Sequence, residues 1–382
     1  METLAQNSKK IIPIISVRPQ VTVDFVDPSL PKDITKQILE TKRPINGEIE
    51  LTLFENCNIE CDFCHHDKKS VVGLTREEMF AKLPTIETFL RERQGTVQYM
   101  QINVVGGELF QDRWLDRLCD DYFDLMMEIK KLYKKYNHIM QVVCVSNFLF
   151  AGKERVKKLI DDMRAKQIAT YLIVSYDFEG RPMSSRYRKN IEWFGSEYIL
   201  SVNCVGTTQS IKKFMNNDYE FFKWLYNNFS IYFDDYIPDK GFDYLVPPDS
   251  MIYNWYKFIA DNYPKIAPVH DLLINDHNQM HCLSLNKLTI FPDGSTANCR
   301  WDRYDQTDFV TKYERDDNAG MMQRFIDDNG CLSCEYFNRC GFRCFTQWDW
   351  RTREKDMGMC PMKAVFNYVT KGEQWVQSQT LN

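Results

Sequence analysis

The stretch Phe54-Glu55-Asn56-Cys57-Asn58-Ile59-Glu60-Cys61-Asp62-Phe63-Cys64-His65-His66 decides how this chain is read. Cys57, Cys61 and Cys64 are spaced C-x3-C-x2-C. They stand directly behind Glu48 to Phe54, whose apolar alternation predicts a strand. A short loop lets three thiolates wrap one corner of a cubane. No fourth cysteine lies nearby, so a [4Fe–4S] cluster held here keeps one iron open to an external ligand.

Downstream the pattern runs strand, loop, helix, repeated. Thr75 with Glu78 forms a capping box that opens a helix reaching about Arg93, with a kink at Pro84. Strands are expected at Val97–Val105, Met140–Ser146, Ala169–Tyr176 and Tyr198–Val205. Helices are expected at Trp114–Tyr133, around Val156 to Met163, near Ser185–Trp193 and near Tyr219–Asn227. The apolar run Phe242 to Val246 would supply a sixth unit. Alternating β and α with apolar strands predicts a parallel sheet covered by helices. Pattern alone leaves open whether that sheet is doubly wound or an incomplete barrel; in both, ligands bind at the C-terminal strand ends.

Composition narrows the class. The 382 residues are 44% hydrophobic and 14% aromatic, enough for a substantial core, and the net charge of −5 carries no global signal for nucleic acid or anionic membrane. No run of 18 apolar residues occurs, and Met1 to Lys10 is polar with no hydrophobic segment behind it. We therefore expect a cytoplasmic protein with no membrane partner. Thirteen cysteines in a chain of this kind point to reduced thiols serving metal rather than to disulfides. Cys119, Cys144 and Cys204 fall on expected helix or strand faces and read as buried structural thiols.

Two more groups matter. Gly106-Gly107-Glu108 ends the second strand; paired glycines allow close backbone approach to a ligand, and the carboxylate suits an ammonium. Alone it is an ordinary glycine turn. Behind residue 263 the chain changes character. Residues 264–281 read as a linker, Lys287 to Asn298 as a hairpin around Pro292-Asp293-Gly294, and seven cysteines follow between Cys282 and Cys360. Their order is Cys282-x11-Gly294-x4-Cys299, then Cys331-x2-Cys334-x5-Cys340-x3-Cys344, then Cys360. Four cysteines at short spacings ordinarily suggest structural zinc.

With the cysteine loop ahead of them, these groups resemble a radical S-adenosylmethionine enzyme. The resemblance implies a partial (β/α)6 TIM-like barrel over residues 48–263, preceded by an N-terminal extension, 1–47. In that family the open iron chelates the amino and carboxylate groups of the methionine part of S-adenosylmethionine. Gly106, Gly107 and Glu108 would orient the amino group, and Phe63 would lie near the adenine. Ser175-Tyr176-Asp177 resembles the family's Ser-x-Asp, with Ser175 binding the cosubstrate and Arg186, followed by Arg188, meeting its carboxylate. Ser146-Asn147 resembles the Thr-Asn turn of the third strand, and Asn203 would contact the ribose.

The later cysteines resemble the SPASM extension, a small cysteine-rich domain with two auxiliary [4Fe–4S] clusters, here residues 282–365 before a tail, 366–382. The resemblance gives Cys331, Cys334, Cys340 and Cys360 to an outer cluster and Cys282, Cys299 and Cys344 to an inner one. The inner cluster thus has three identifiable ligands and either an open iron or a non-cysteine ligand from the substrate; full ligation by another side chain, such as His281, would contradict that expectation. Trp348 and Trp350 are expected to shield a cluster.

Three [4Fe–4S] clusters, S-adenosylmethionine and an external one-electron donor such as flavodoxin or ferredoxin are the implied cofactors and partners. The implied reaction is reductive cleavage of S-adenosylmethionine to a 5′-deoxyadenosyl radical, which abstracts hydrogen from a substrate. A peptide or protein undergoing oxidative modification or cross-linking is the expected substrate. A small molecule or modified nucleotide is the alternative, and a non-catalytic, metal-stapled binding protein is the alternative from another class. Sulfatase-maturing members place an aspartate after the second auxiliary cysteine, where this chain has Arg300, with Asp302 close by.

Overall fold

The computed structural model describes residues 46–177, 185–216, 220–236, 242–266, 269, 286–297, 326–327, 329–336, 340 and 354–371. Six βα units build the first part. Strand β1 (Asn46–Thr52) is followed by helices α1 (Arg76–Phe80) and α2 (Leu83–Glu92), and β2 (Tyr99–Val105) by α3 (Leu115–Lys135). Next come β3 (Ile139–Ser146), α4 (Lys153–Ala165), β4 (Ala169–Tyr176), α5 (Ser185–Tyr198) and β5 (Ile199–Gly206). Helices α6 (Thr208–Asn216) and α7 (Glu220–Asn228), strand β6 (Ser230–Asp235) and helix α8 (Asp249–Asn262) complete this part.

The capping box forms as expected. The Glu78 amide donates to Thr75 Oγ1, and the Thr75 amide donates to Glu78 Oε2. The kink expected at Pro84 is a full break. Proline has no N–H to give the carbonyl of Phe80, where α1 ends. Helix α3 buries Leu118, Tyr122, Met126, Ile129 and Tyr133, and α4 buries Val156, Leu159, Ile160 and Met163, the stripes their periodicity predicts.

One expectation is corrected. The sixth strand is Ser230–Asp235, and the run Phe242 to Val246 holds only a 3-10 turn, Asp243–Leu245. In Ser-Ile-Tyr-Phe-Asp-Asp the residues Ile231 and Phe233 are buried in the core, and so short an apolar alternation with an acidic end conceals a strand. Phe242 and Tyr244, by contrast, lie outside the core, and Tyr244 is 59% exposed.

The sheet order is β6-β5-β4-β3-β2-β1-β7-β8, where β7 is Lys287–Ile290 and β8 is Thr296–Ala297. Strands β1 to β6 are parallel to their neighbours, β7 is parallel to β1, and only β8 runs antiparallel. The expected hairpin therefore extends the main sheet rather than standing apart from it. One face of the sheet is apolar and packs on the helices; Met100, Ile102 and Val104 of β2 are all buried there. The other face is polar. On it Lys287 pairs with Glu48 at 3.1 Å and Glu50 at 3.6 Å, and Gln101 bonds Asn103.

A last helix, α9 (Pro361–Lys371), packs on α8, with Tyr368 Oη donating to Asp261 at 2.6 Å. No described helix is long and apolar enough to cross a membrane.

Candidate active site

The parallel ladder of β1 and β2 does not stop at the strand ends. Leu53 N–H donates to Val105 O at 3.1 Å, Gly107 N–H to Phe54 O at 2.9 Å and Glu108 N–H to Asn56 O at 3.0 Å. The backbone before Cys57 is thereby zipped onto the Gly106-Gly107-Glu108 turn. Both glycines are needed for this approach. A Cβ on Gly107 would lie 2.0 Å from Asn56 O and 2.2 Å from Glu55 O, and one on Gly106 would lie 2.6 Å from Phe54 O. The close approach read from the paired glycines is thus made first to the cysteine loop's own backbone.

The loop is closed at its neck. Cys57 N–H donates to Lys68 O at 3.2 Å, Asp67 N–H to Glu55 Oε2 at 3.0 Å, and Asn56 Nδ2 to Ser70 O at 3.0 Å. Within it, Cys64 N–H donates to Cys61 O, and Lys68 Nζ reaches the same carbonyl at 3.2 Å. Phe63 is half-buried between the last two cysteines. The His65 ring meets that of Tyr236, just past β6, with centroids 6.4 Å apart.

Glu108 is wholly buried. Its Oε1 accepts from the Phe110 amide at 2.9 Å and from Ser146 Oγ at 2.8 Å, and its Oε2 accepts from the Asn147 amide at 2.7 Å. Asn147 Nδ2 in turn donates to Asn58 Oδ1 at 2.8 Å, and the Cys57 thiol approaches the same oxygen at 3.9 Å. The third-strand turn and the cysteine loop are therefore joined through residues 108, 147 and 58. Asn58 was not singled out in the sequence; its only signal was a side-chain amide between two cysteines.

The remaining expected residues lie around the same rim. Ser175 and Asn203 are register partners on β4 and β5, and Ser201 Oγ donates to Asn203 Oδ1 at 2.9 Å. Arg186 is 54% exposed and turns outward, donating to Leu149 O at 3.3 Å with Asp112 Oδ2 at 3.7 Å. Asp112 also accepts from the Ala151 amide at 2.7 Å, tying the second and third loops. Nothing in the sequence marked this aspartate.

The donor set was tested against an iron–sulfur cluster. Burial pushes the Cys57 thiol up to about 11, with Glu108, Cys61 and Cys64 adding to the rise and a backbone hydrogen bond to Ile59 opposing it. A thiol so buried beside a carboxylate ionises more readily with a cationic partner, which is what a metal group supplies. Among the described residues no three His, Cys, Asp or Glu side chains converge as ligands of a single ion. Thiolates of a cluster sit on separate irons rather than on one ion, and three cysteines within eight residues suit that donor set.

A second thiol cluster lies at the start of α9. Cys331, Cys334, Cys340 and Cys360 are all half-buried against the core. Tyr336 Oη donates to Asn367 Oδ1 at 2.7 Å and its ring stacks on Phe366 at 4.8 Å. Those contacts hold the Cys331–Cys334 turn against the helix. Burial pushes the Cys331 thiol up to about 12, with Cys360, Cys334 and Asp327 adding to it. Cys282, Cys299 and Cys344, like His281, Arg300, Asp302, Trp348 and Trp350, lie outside the described residues. Cys119, Cys144 and Cys204 are buried, as read, and burial pushes the first two up to about 12.

No protein-family model matches the chain, and no curated protein matches it in sequence. Among solved structures it resembles one described as histidine-tagged anSMEcpe with bound AdoMet. The TM-score is 0.56 at 15% identity, covering 85% of this chain and 97% of that one. That likeness shows a shared fold. Weaker likenesses are to a GH138 enzyme targeting pectin rhamnogalacturonan II (TM-score 0.29, 10% identity, 78% and 43% coverage) and to N-acetylneuraminate lyase from Fusobacterium nucleatum complexed with pyruvate (0.24, 12%, 86% and 97%). Neither of these two establishes a common fold.

Proposed function

We propose that this protein is a radical S-adenosylmethionine enzyme of the SPASM branch that oxidatively modifies or cross-links a peptide or protein. The observation that carries the reading is the C-x3-C-x2-C loop at the C-terminal end of β1, zipped to Gly106–Glu108 and bonded through Asn58 to Asn147. The fold shared with anSMEcpe, a structure that contains AdoMet, supports it. Cys57, Cys61 and Cys64 would hold the [4Fe–4S] cluster, which when bound supplies the electron that cleaves S-adenosylmethionine to the hydrogen-abstracting 5′-deoxyadenosyl radical.

The chain's own residues would bind, orient and shield. Gly106 and Gly107 keep the methionine end against bare backbone, Phe63 covers the adenine, and Ser175 and Asn203 meet the ribose and methionine from neighbouring strands. Glu108 holds the Ser146-Asn147 turn in place. Arg186 reaches the carboxylate by turning in from Asp112. Cys331, Cys334, Cys340 and Cys360 would hold one auxiliary cluster, and Cys282, Cys299 and Cys344 another. A flavodoxin- or ferredoxin-type donor in the cytoplasm would deliver the electron. Arg300 after Cys299 argues for a peptide other than a sulfatase.

Anaerobic reconstitution is the test. We expect about 12 iron atoms per chain and 5′-deoxyadenosine on reduction with S-adenosylmethionine. The nucleoside should vanish in Cys57→Ala, Cys61→Ala and Cys64→Ala. Iron-loaded, reduced protein that forms no 5′-deoxyadenosine would refute the proposal.

A further inference from the structure

The peptide unit joining Asn56 to Cys57 is pinned on both sides. Its carbonyl accepts from the Glu108 amide and from Gln111 Nε2, each at 3.0 Å, and its N–H donates to Lys68 O at 3.2 Å. The Asn56 side chain is just as constrained. Nδ2 donates to Ser70 O at 3.0 Å, while Oδ1 accepts from Gln111 Nε2 at 3.3 Å and from Arg113 Nη2. Donors on one side and an acceptor on the other fix which way the amide points. Asn56 and Gln111 are 5% and 2% exposed, so the bonds between them are buried and their loss is not made good by water, while those to Ser70 and Arg113 are partly buried. Arg113 is held from behind, its guanidinium 3.6 Å from the centroid of the Trp114 ring.

We propose that Asn56, Gln111 and Arg113 are positioning residues for the cluster bound by the Cys57 loop, and that the Arg113 charge raises its reduction potential. The inference rests on the function proposed above. No motif in the sequence selects these three. The bonds that fix the first ligand's backbone converge on the one residue that precedes it. Arg113 then delivers a fixed positive charge to that residue through a single amide. A positive charge and hydrogen bonds near a cluster favour its reduced, more negative state. The buried Glu108 carboxylate, which raises the Cys57 thiol's pKa, opposes it. A clamp with only a mechanical role would need the hydrogen bond but not the charge.

The experiment compares wild type, Arg113→Met and Arg113→Lys, each reconstituted anaerobically. A redox titration follows by EPR only the signal that changes when S-adenosylmethionine is added, which isolates the cluster with the open iron. Arg113→Met keeps the stem over Trp114 and should fold and load iron normally, since residue 113 lies on the surface. Its responsive signal should titrate at a more negative potential, and Arg113→Lys should recover most of the shift. An Arg113→Met protein that titrates with wild type overturns the inference, as does an Arg113→Lys protein shifted as far as Arg113→Met. A wild type with no responsive signal overturns the proposed function itself, so the two failures are told apart.

Discussion

Gly107→Ala is the sharpest test of how the cysteine loop is held. Gly107 has no positive φ, so the substitution adds no backbone strain of its own and the effect is purely one of space. The new methyl would stand 2.0 Å from Asn56 O and 2.2 Å from Glu55 O, both backbone atoms that no side-chain rotation can move. The strand extension must open. Overpacking costs about 1–3 kcal/mol, and the two bonds at risk, Gly107 N–H to Phe54 O and Glu108 N–H to Asn56 O, are worth about 0.5–1.5 kcal/mol each. The sum is about 2–6 kcal/mol, or a thermal midpoint lower by roughly 3–8 °C in a chain of this length. Gly358→Ala is the control, since a Cβ there meets nothing within 4 Å. Both variants are melted anaerobically after reconstitution, and iron uptake is measured in parallel. Gly107→Ala should melt below the control and bind less iron. If it melts within about 2 °C of Gly358→Ala with full iron, the backbone zipper is not what positions Cys57.

Three further outcomes are expected. Lys82 is 2% exposed, its Nζ donating to Glu78 O at 3.0 Å and Pro292 O at 2.9 Å, and burial holds it below the usual lysine value of 10.5. Because the folded value is the lower one, the folded state releases this proton first, and its contribution to stability rises with pH just below 10.5. Lys82→Met should lose about 1–3 kcal/mol at neutral pH, and urea titrations near pH 10 should show wild type pulling further ahead. His138 is buried with its two ring nitrogens 2.8 Å and 2.9 Å from Val97 O and Leu90 O, so His138→Phe takes the ring from both, although Leu90 O keeps the Arg93 amide at 3.2 Å. A loss of about 1–3 kcal/mol is expected, and a urea midpoint equal to wild type would exclude it. Asp112→Asn removes the charge facing Arg186 and keeps an oxygen for the Ala151 amide. Calorimetry should find S-adenosylmethionine bound several-fold tighter, an exposed pair at 3.7 Å being worth under about 1 kcal/mol; weaker binding would mean that Asp112 orients Arg186 rather than competing for it.

What could be read in the sequence was whatever a period or a fixed spacing carries. The stripes on α3 and α4 and the capping box at Thr75 are local patterns, and each has its counterpart in the structure. Strand β6 escaped because two buried residues in six make no pattern. The wiring of the site escaped for another reason. Asn56 meets Gln111 and Arg113 across 55 and 57 residues, and Asn58 meets Asn147 across 89. Pairs of polar residues that far apart leave no trace in a single sequence, and only the parallel register of β1, β2 and β3 brings their loops level.

That register also shows how the loop after β1 is supported. β1 has β2 on one side and β7 on the other, so support reaches the loop from both. From β2 come the Gly106-Gly107-Glu108 turn and the bonds to Phe54 and Asn56. From the β7–β8 side comes Pro292. Its carbonyl takes the buried Lys82 ammonium, and its ring backs Gly73, where a Cβ would lie 1.9 Å from Leu53 O and 3.2 Å from Pro292 Cβ. Gly73 has φ +84, so glycine is required there on both counts. The departure of the loop is therefore fixed by the second strand and its return by the hairpin of the cysteine-rich segment. A shift of that hairpin is passed through Gly73 to Leu53, four residues before the first cysteine, because a Cβ at Gly73 would stand close to both Pro292 and Leu53 O.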